Sequence, residues 1–226
     1  MNKRYQHYVA GCIVALMVSG CGGGSSDTTS DEPTLQSSND THIVDGPYPI
    51  EAPALSQETI DAYLKAINDA RAQGRDCGTA EDGTEVGYKE AADPVTWNDA
   101  LYRASYEHSR DLALSNTFSH TGSATESDWT YVVQELSSGS TTQERIENNN
   151  YLNWHFLGEN ITAGYIDGND PIDTPEEAVL QWIESPLHCG TLMSPDYTEV
   201  GMAYFYDANG SSEYRHYWTQ VFGDQF

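Results

Sequence analysis

The side chains that could do chemistry in this sequence are few and far apart. No Gly-x-Ser-x-Gly elbow presents a nucleophilic serine, and no His-Glu-x-x-His pair sets two imidazoles one helical turn apart for zinc. No glycine loop is laid out to cradle phosphate. Chemistries with strong local signatures are thereby set aside, so any site must be assembled from distant segments. The raw material is seven histidines, four cysteines and an excess of carboxylates. His108 falls on the apolar side of its stretch, where a satisfied core histidine is the favoured reading over a ligand. Asp167-Gly168-Asn169-Asp170-Pro171 has the flavour of a calcium loop without the ligand spacing of an EF-hand, so a solvated turn is expected there.

The cysteines take their meaning from the compartment. Lys3 and Arg4 precede an apolar run from Tyr8 to Val18 that closes on Ser19 and Gly20, the pattern of an export signal too short for a permanent membrane helix. Val18-Ser19-Gly20-Cys21 resembles a bacterial lipobox, which implies cleavage before a lipidated Cys21; the rival is a plain secretory signal with an incidental cysteine. Gly22 is not the aspartate that retains many such proteins in the inner membrane, so the cell envelope, at the outer membrane, is the expected location. Cys12 leaves with the signal. Cys77 and Cys189 remain, and in an oxidising compartment a disulfide is expected, with a catalytic thiol as the alternative. A bridge across 112 positions would restrict the unfolded chain by about 4 to 5 kcal/mol in the entropy model.

Residues 1–20 are thus expected to be the signal, 21–54 a flexible polar tether, and 55–226 one domain with a real core. Ten Lys and Arg stand against 35 Asp and Glu, a formal net charge of −25. Nucleic acid and anionic membrane surfaces are therefore poor partners for a broad contact, and the chain is expected to be a monomer.

Within the domain, Ile60, Tyr63, Leu64, Ile67 and Ala70 form a helical stripe over 57–72, with Ser56 as N-cap and Gly74 as stop. A second helix is expected over 99–115, with Leu101, Ala104, His108 and Leu112 on one face. The polar stretch 121–156 reads as loops around one short helix at 143–147, long enough to form a lid or rim. A strand is expected at 158–165. Thr174-Pro175-Glu176-Glu177 is a capping box opening a helix that carries Ala178, Val179, Trp182 and Ile183 inward and stops at Ser185-Pro186. Strands at 200–206 and 214–222 finish the chain. The first is apolar on both alternating faces, which requires cover above and below and predicts an α/β fold of three layers. Of the five tryptophans, Trp182 and Trp218 belong to the core, while Trp129 and Trp154 are the surface candidates.

Ordered tags run through the whole domain: Ile67-Asn68-Asp69-Ala70-Arg71, Cys77-Gly78, Trp97-Asn98 with Leu101, His108-Ser109, and Phe118-Ser119-His120-Thr121-Gly122. They continue with Gly158-Glu159-Asn160-Ile161, Trp182 through Ser185-Pro186-Leu187-His188-Cys189, and Tyr217-Trp218-Thr219-Gln220-Val221-Phe222-Gly223. Together they resemble the bacterial branch of the CAP superfamily (cysteine-rich secretory protein, antigen 5, pathogenesis-related; SCP-like). The resemblance implies an α-β-α sandwich with a central, mainly antiparallel sheet and a shallow groove lined by two histidines and two acids. Here these would be His120, Glu159 and His188, while the second acid is replaced by Ser185. Glu184 is adjacent, but one helical step turns a side chain by about 100°, so it is no direct substitute.

Two imidazoles and a carboxylate suit zinc or another divalent cation, with His120 and His188 as ligands and a position left for water or substrate. Three functions follow. The preferred one is binding of a small or lipid-like ligand, with the cation optional. The second is a metal-assisted hydrolase in which Glu159 is the general base. The third is an adhesive or structural envelope module in which the triad merely ties loops together.

Overall fold

The computed structural model describes residues 47–165 and 172–226. The expected signal, Cys21, most of the tether and the acidic turn at 167–171 lie outside the described residues. The elements, in order, are α1 (Gln57–Arg71), β1 (Arg75–Asp76), β2 (Tyr88–Lys89), β3 (Thr96–Trp97), α2 (Asp99–Ser115), α3 (Trp129–Val133) and α4 (Thr142–Asn148). They continue with β4 (Trp154–Gly164), α5 (Pro175–Glu184), α6 (Pro186–Leu192), β5 (Glu199–Tyr206) and β6 (His216–Gln225). The sheet has strand order β3-β5-β6-β4, antiparallel except where β3 runs parallel to β5.

Alternation along the strands builds two cores, because successive side chains point to opposite faces. Val200, Met202, Trp218 and Phe222 pack under α1 and α5 with Ile67, Val179 and Trp182. From the other face, Val221 meets Leu101, Ala104, Ile146 and Tyr151 of the α2–α4 layer, and Tyr217 and Ile161 meet Leu112. The three-layer α-β-α sandwich with a mainly antiparallel sheet is therefore present. Gly201 allows α2 to approach β5 closely: a Cβ there would lie 2.0 Å from the backbone nitrogen of Tyr102.

Several boundaries differ from expectation, each for a local reason. α1 stops at Arg71 with Ala72 as cap, before Gly74, and the Arg71 guanidinium turns inward to the carbonyls of Asp93, Leu192 and Ser194. Ser185-Pro186 ends α5 but also starts α6, since proline suits the first turn of a helix. β4 begins at Trp154, earlier than expected, and the last strand begins at His216 and reaches Gln225, because these stretches pair with each other, with one register shift between Trp154 and Phe156.

The largest correction concerns 121–156: the expected short helix is present as α4, but α3 and the start of β4 stand where loops were expected, and the stretch is a folded layer. Its polarity is internal: Asp128 caps α3 at Tyr131 N and also accepts from Ser140 N at 2.9 Å and Ser140 Oγ at 2.7 Å. Asp111 accepts from Ser123 and Ser127, and Glu107 accepts from Thr130 N and Asn149 Nδ2. All three carboxylates are buried. Ile146 and Tyr151 then seal the layer against the sheet. Trp129 and Trp154 are half-buried, and their indole N–H groups donate to Tyr48 O and Glu147, so neither stands out as a platform. Tyr48 and Ile50 also bond to Asn148 and Asn149, and Pro53 O accepts from Tyr102 Oη, so 48–53 lie against the domain.

Candidate functional site

β4 supplies the carboxylate. Glu159 pairs with Val221 across the ladder and therefore points to the α2 side of the sheet, where its side chain is only 3% exposed. Oε2 accepts from Arg145 Nη2 at 2.8 Å, and Oε1 lies 2.9 Å from His120 Nδ1 and 3.8 Å from His108 Nε2. Burial alone would raise this carboxyl, but the Arg145 guanidinium, His108 and the bond to His120 outweigh it and hold it well below the usual carboxylate range. An ionised carboxylate only accepts, so His120 Nδ1 must carry the hydrogen. Its Nε2 is buried and has no hydrogen-bond partner.

His120 sits in the bend that follows the left-handed C-cap Asn116 of α2, and two buried groups clamp that bend by its carbonyls. His108 Nε2 donates to Ser119 O at 3.0 Å, and Arg145 Nη2 donates to His120 O at 3.0 Å. Arg145 Nη1 also reaches Ser140 O at 2.7 Å, so one guanidinium fastens α4, the bend and β4 together. His108 is fully buried, and desolvation, reinforced by Arg145, holds it down to about 3, so it stays neutral. It is a core histidine that also positions the bend.

His188 approaches from the other side of the edge strand. It lies inside α6, where the sequence suggested a position beyond a helix end. α6 is held at its start by Pro186, in the middle by the Cys77–Cys189 disulfide, and at its end by Arg71 through Leu192 O. Asn160 Nδ2 donates to His188 O at 3.3 Å. The His120 and His188 ring centroids are 6.3 Å apart. His188 Nε2, like that of His120, is buried without a partner, and desolvation followed by the neighbouring His120 holds the ring down to about 4. Ser185 is the N-cap of α6 and makes no side-chain capping bond; Glu184 is exposed.

The fold thus brings His120, Glu159 and His188 to one edge of the sheet, with Glu159 behind His120 and both its oxygens engaged. Among the described residues no group of three or more His, Cys, Asp and Glu is arranged to hold a metal ion. The two orphaned imidazole nitrogens are the donors that remain. Sequence reasoning missed Arg145 and Arg71: Arg103 and Arg110 also fall inside an expected helix, so position in a helix does not single these two out.

Comparison with known proteins agrees with the fold. The model of the family described as CAP, cysteine-rich secretory protein family, matches residues 64–222. No curated protein matches the chain. Among solved structures, an outer surface protein from Borrelia burgdorferi is similar over 78% of this chain and 100% of its own, at 15% identity and a TM-score of 0.50. An extracellular protein containing an SCP domain from Bacillus anthracis matches 77% of this chain and 45% of its own, at 16% identity and a TM-score of 0.45. A cysteine-rich secretory protein from Staphylococcus aureus matches 78% of this chain and 43% of its own, at 13% identity and a TM-score of 0.37. Among the described residues no helix is long and apolar enough to cross a membrane. With the family model spanning well over half its length, the sandwich in place and the disulfide formed, this chain belongs to the cysteine-rich secretory protein (CAP) family.

Proposed function

We propose that this chain is an exported, lipid-anchored binding domain of the cell envelope, whose polar anchor for a small or lipid-like ligand is the imidazole pair His120 and His188. One observation carries the reading. Two neighbouring imidazoles each leave a buried Nε2 unbonded, and a buried polar atom without a partner requires a reason. His108 Nδ1 is a third orphaned imidazole nitrogen, within the core, and Asn160 Oδ1 and Gln220 Nε2 beside His188 are unpartnered too, so what distinguishes His120 and His188 is that two facing rings each keep a free lone-pair nitrogen. Glu159 behind His120 is the arrangement that fixes an imidazole tautomer and leaves its far nitrogen as a lone-pair donor. The ligand class comes from the family resemblance.

The donor set fits a divalent cation in part. Two neutral nitrogens suit zinc, but a closed or catalytic zinc site uses three or four protein ligands. When bound, the cation would polarise an oxygen of the ligand. His120 and His188 would hold it, and Glu159 and Arg145 would orient His120 without touching it. The hydrolase reading is weaker, because a carboxylate engaged by Arg145 and His120 and held well below its usual range is a poor general base.

Calorimetric titration of zinc into the folded protein tests the anchor. His120→Ala and His188→Ala should each weaken binding by more than the roughly tenfold that losing even an outer-shell partner costs; unchanged affinity in both rejects the reading. The lipid anchor is tested separately, since Cys21→Ser should move the exported protein from the membrane fraction to the soluble one, and retention in the membrane would reject it.

A further inference from the structure

The C-terminal end of α2 opens onto a cavity of about 260 Å³, away from the imidazole pair, lined by Asn116, Phe118, Glu213, Tyr214 and Tyr217. We propose that it binds a small organic cation of the quaternary or alkylammonium class. Three independent features of its wall select positive charge and apolar substituents together.

Aromatic rings come first. Phe118 and Tyr214 lie with centroids 5.7 Å apart, Tyr217 meets Tyr214 edge-on at 6.1 Å, and Tyr165 packs on Tyr214 at 4.7 Å and steadies it. Ring faces attract a cation placed over them, most strongly one whose charge is spread over methyl groups and so loses little on leaving water. The second feature is Glu213, exposed at the rim, whose backbone nitrogen is tied to Asn116 Oδ1 at 2.6 Å and whose Oε1 accepts from Tyr165 Oη at 3.4 Å. The third is the helix itself. α2 has 17 residues and no basic residue in its last turn, so the roughly half-unit negative charge of its C-terminus is uncompensated where its cap, Asn116, lines the cavity. Arg215 keeps its charge but does not line the cavity, its guanidinium being held at Asp207 O, Ala208 O and the Tyr206 ring. A formal charge of −25 further raises the local concentration of any cation.

An inorganic cation would gain little here, since the wall offers rings in place of a shell of oxygens. A neutral apolar molecule would gain the rings but waste the carboxylate and the helix end. The probe is therefore choline, compared with its uncharged carbon isostere 3,3-dimethylbutan-1-ol at constant ionic strength, followed by the ring resonances of Phe118 and Tyr214 in the full folded chain. Choline should saturate one site at millimolar concentration and the isostere should bind about tenfold more weakly or worse. Tyr214→Leu should weaken choline binding by about tenfold, and Glu213→Gln, whose exposed side chain carries no folding risk, by about two- to fivefold. The proposal falls if choline shows no saturable binding, if the isostere binds as tightly, or if neither substitution weakens choline.

Discussion

Arg145 holds a charge in place where water cannot reach it. Its guanidinium is 1% exposed and faces a Glu159 that is 3% exposed, so each charge depends on the other. Buried pairs of this kind add little to stability compared with apolar packing, but removing one partner strands the other and costs about 3 to 5 kcal/mol. Arg145→Ala should therefore lower the urea midpoint by an amount corresponding to that range, and the Glu159 carboxyl should rise toward protonation. A change below about 1 kcal/mol, within the range of an exposed pair, would mean that the pair is not the clamp described. None of this was legible in the order of residues. The triad was found through resemblance, whereas Arg145 lies in a polar run, Thr142-Gln143-Glu144-Arg145, whose neighbours give no sign that one member turns inward.

At the level of elements, legibility followed the range of the interactions. α1, α2 and α5 announce themselves by apolar stripes and by local caps at Ser56, Asn98 and Thr174, all within a few residues. β5 declares its double cover because both alternating faces are apolar. α3 has five residues and is held by Asp128, which also reaches Ser140 twelve positions on, so no window along the chain contains its cause. The same holds for the 121–156 layer, where polarity signals a buried hydrogen-bond network as readily as a solvated loop. Sequence does suggest a close contact at Gly201, in the middle of an otherwise bulky strand. Gly201→Ala would drive a methyl into the α2 backbone at Leu101 and Tyr102. It should cost about 1 to 3 kcal/mol, read as a fall in Tm with secondary structure retained; an unchanged Tm would contradict the tight α2–β5 seam.

For the whole molecule the buried titratable groups set the response to acid. His108, held to about 3, and His188, held to about 4, bind protons less well in the fold than at their ordinary 6.5, so their contribution is complete above pH 6.5 and is lost as pH falls toward 4. Glu107 acts in the opposite sense: burial pushes it up to about 7 from 4.5, so acidification across that interval stabilises the fold. His216, also buried and lowered by desolvation, joins the two, so three imidazoles oppose one carboxyl and stability falls as pH drops from 6.5 to 4.5. Glu159, depressed far below 4.5, adds to the loss below that pH. Denaturant unfolding across pH 4 to 8 should show this decline, and stability that is flat or rising toward pH 5 would contradict the buried, neutral state of the three imidazoles. The central claim is that three segments, joined through one disulfide and two inward arginines, present two imidazole nitrogens to one ligand. Nitrogen-15 spectra of the histidine rings during a zinc titration test it most directly. Before zinc, His120 should carry its proton on Nδ1. On titration the Nε2 resonances of His120 and His188 should move together and saturate at one equivalent, while His108 stays fixed. A His120 protonated on Nε2, or two rings that respond independently or remain unmoved, would contradict the account.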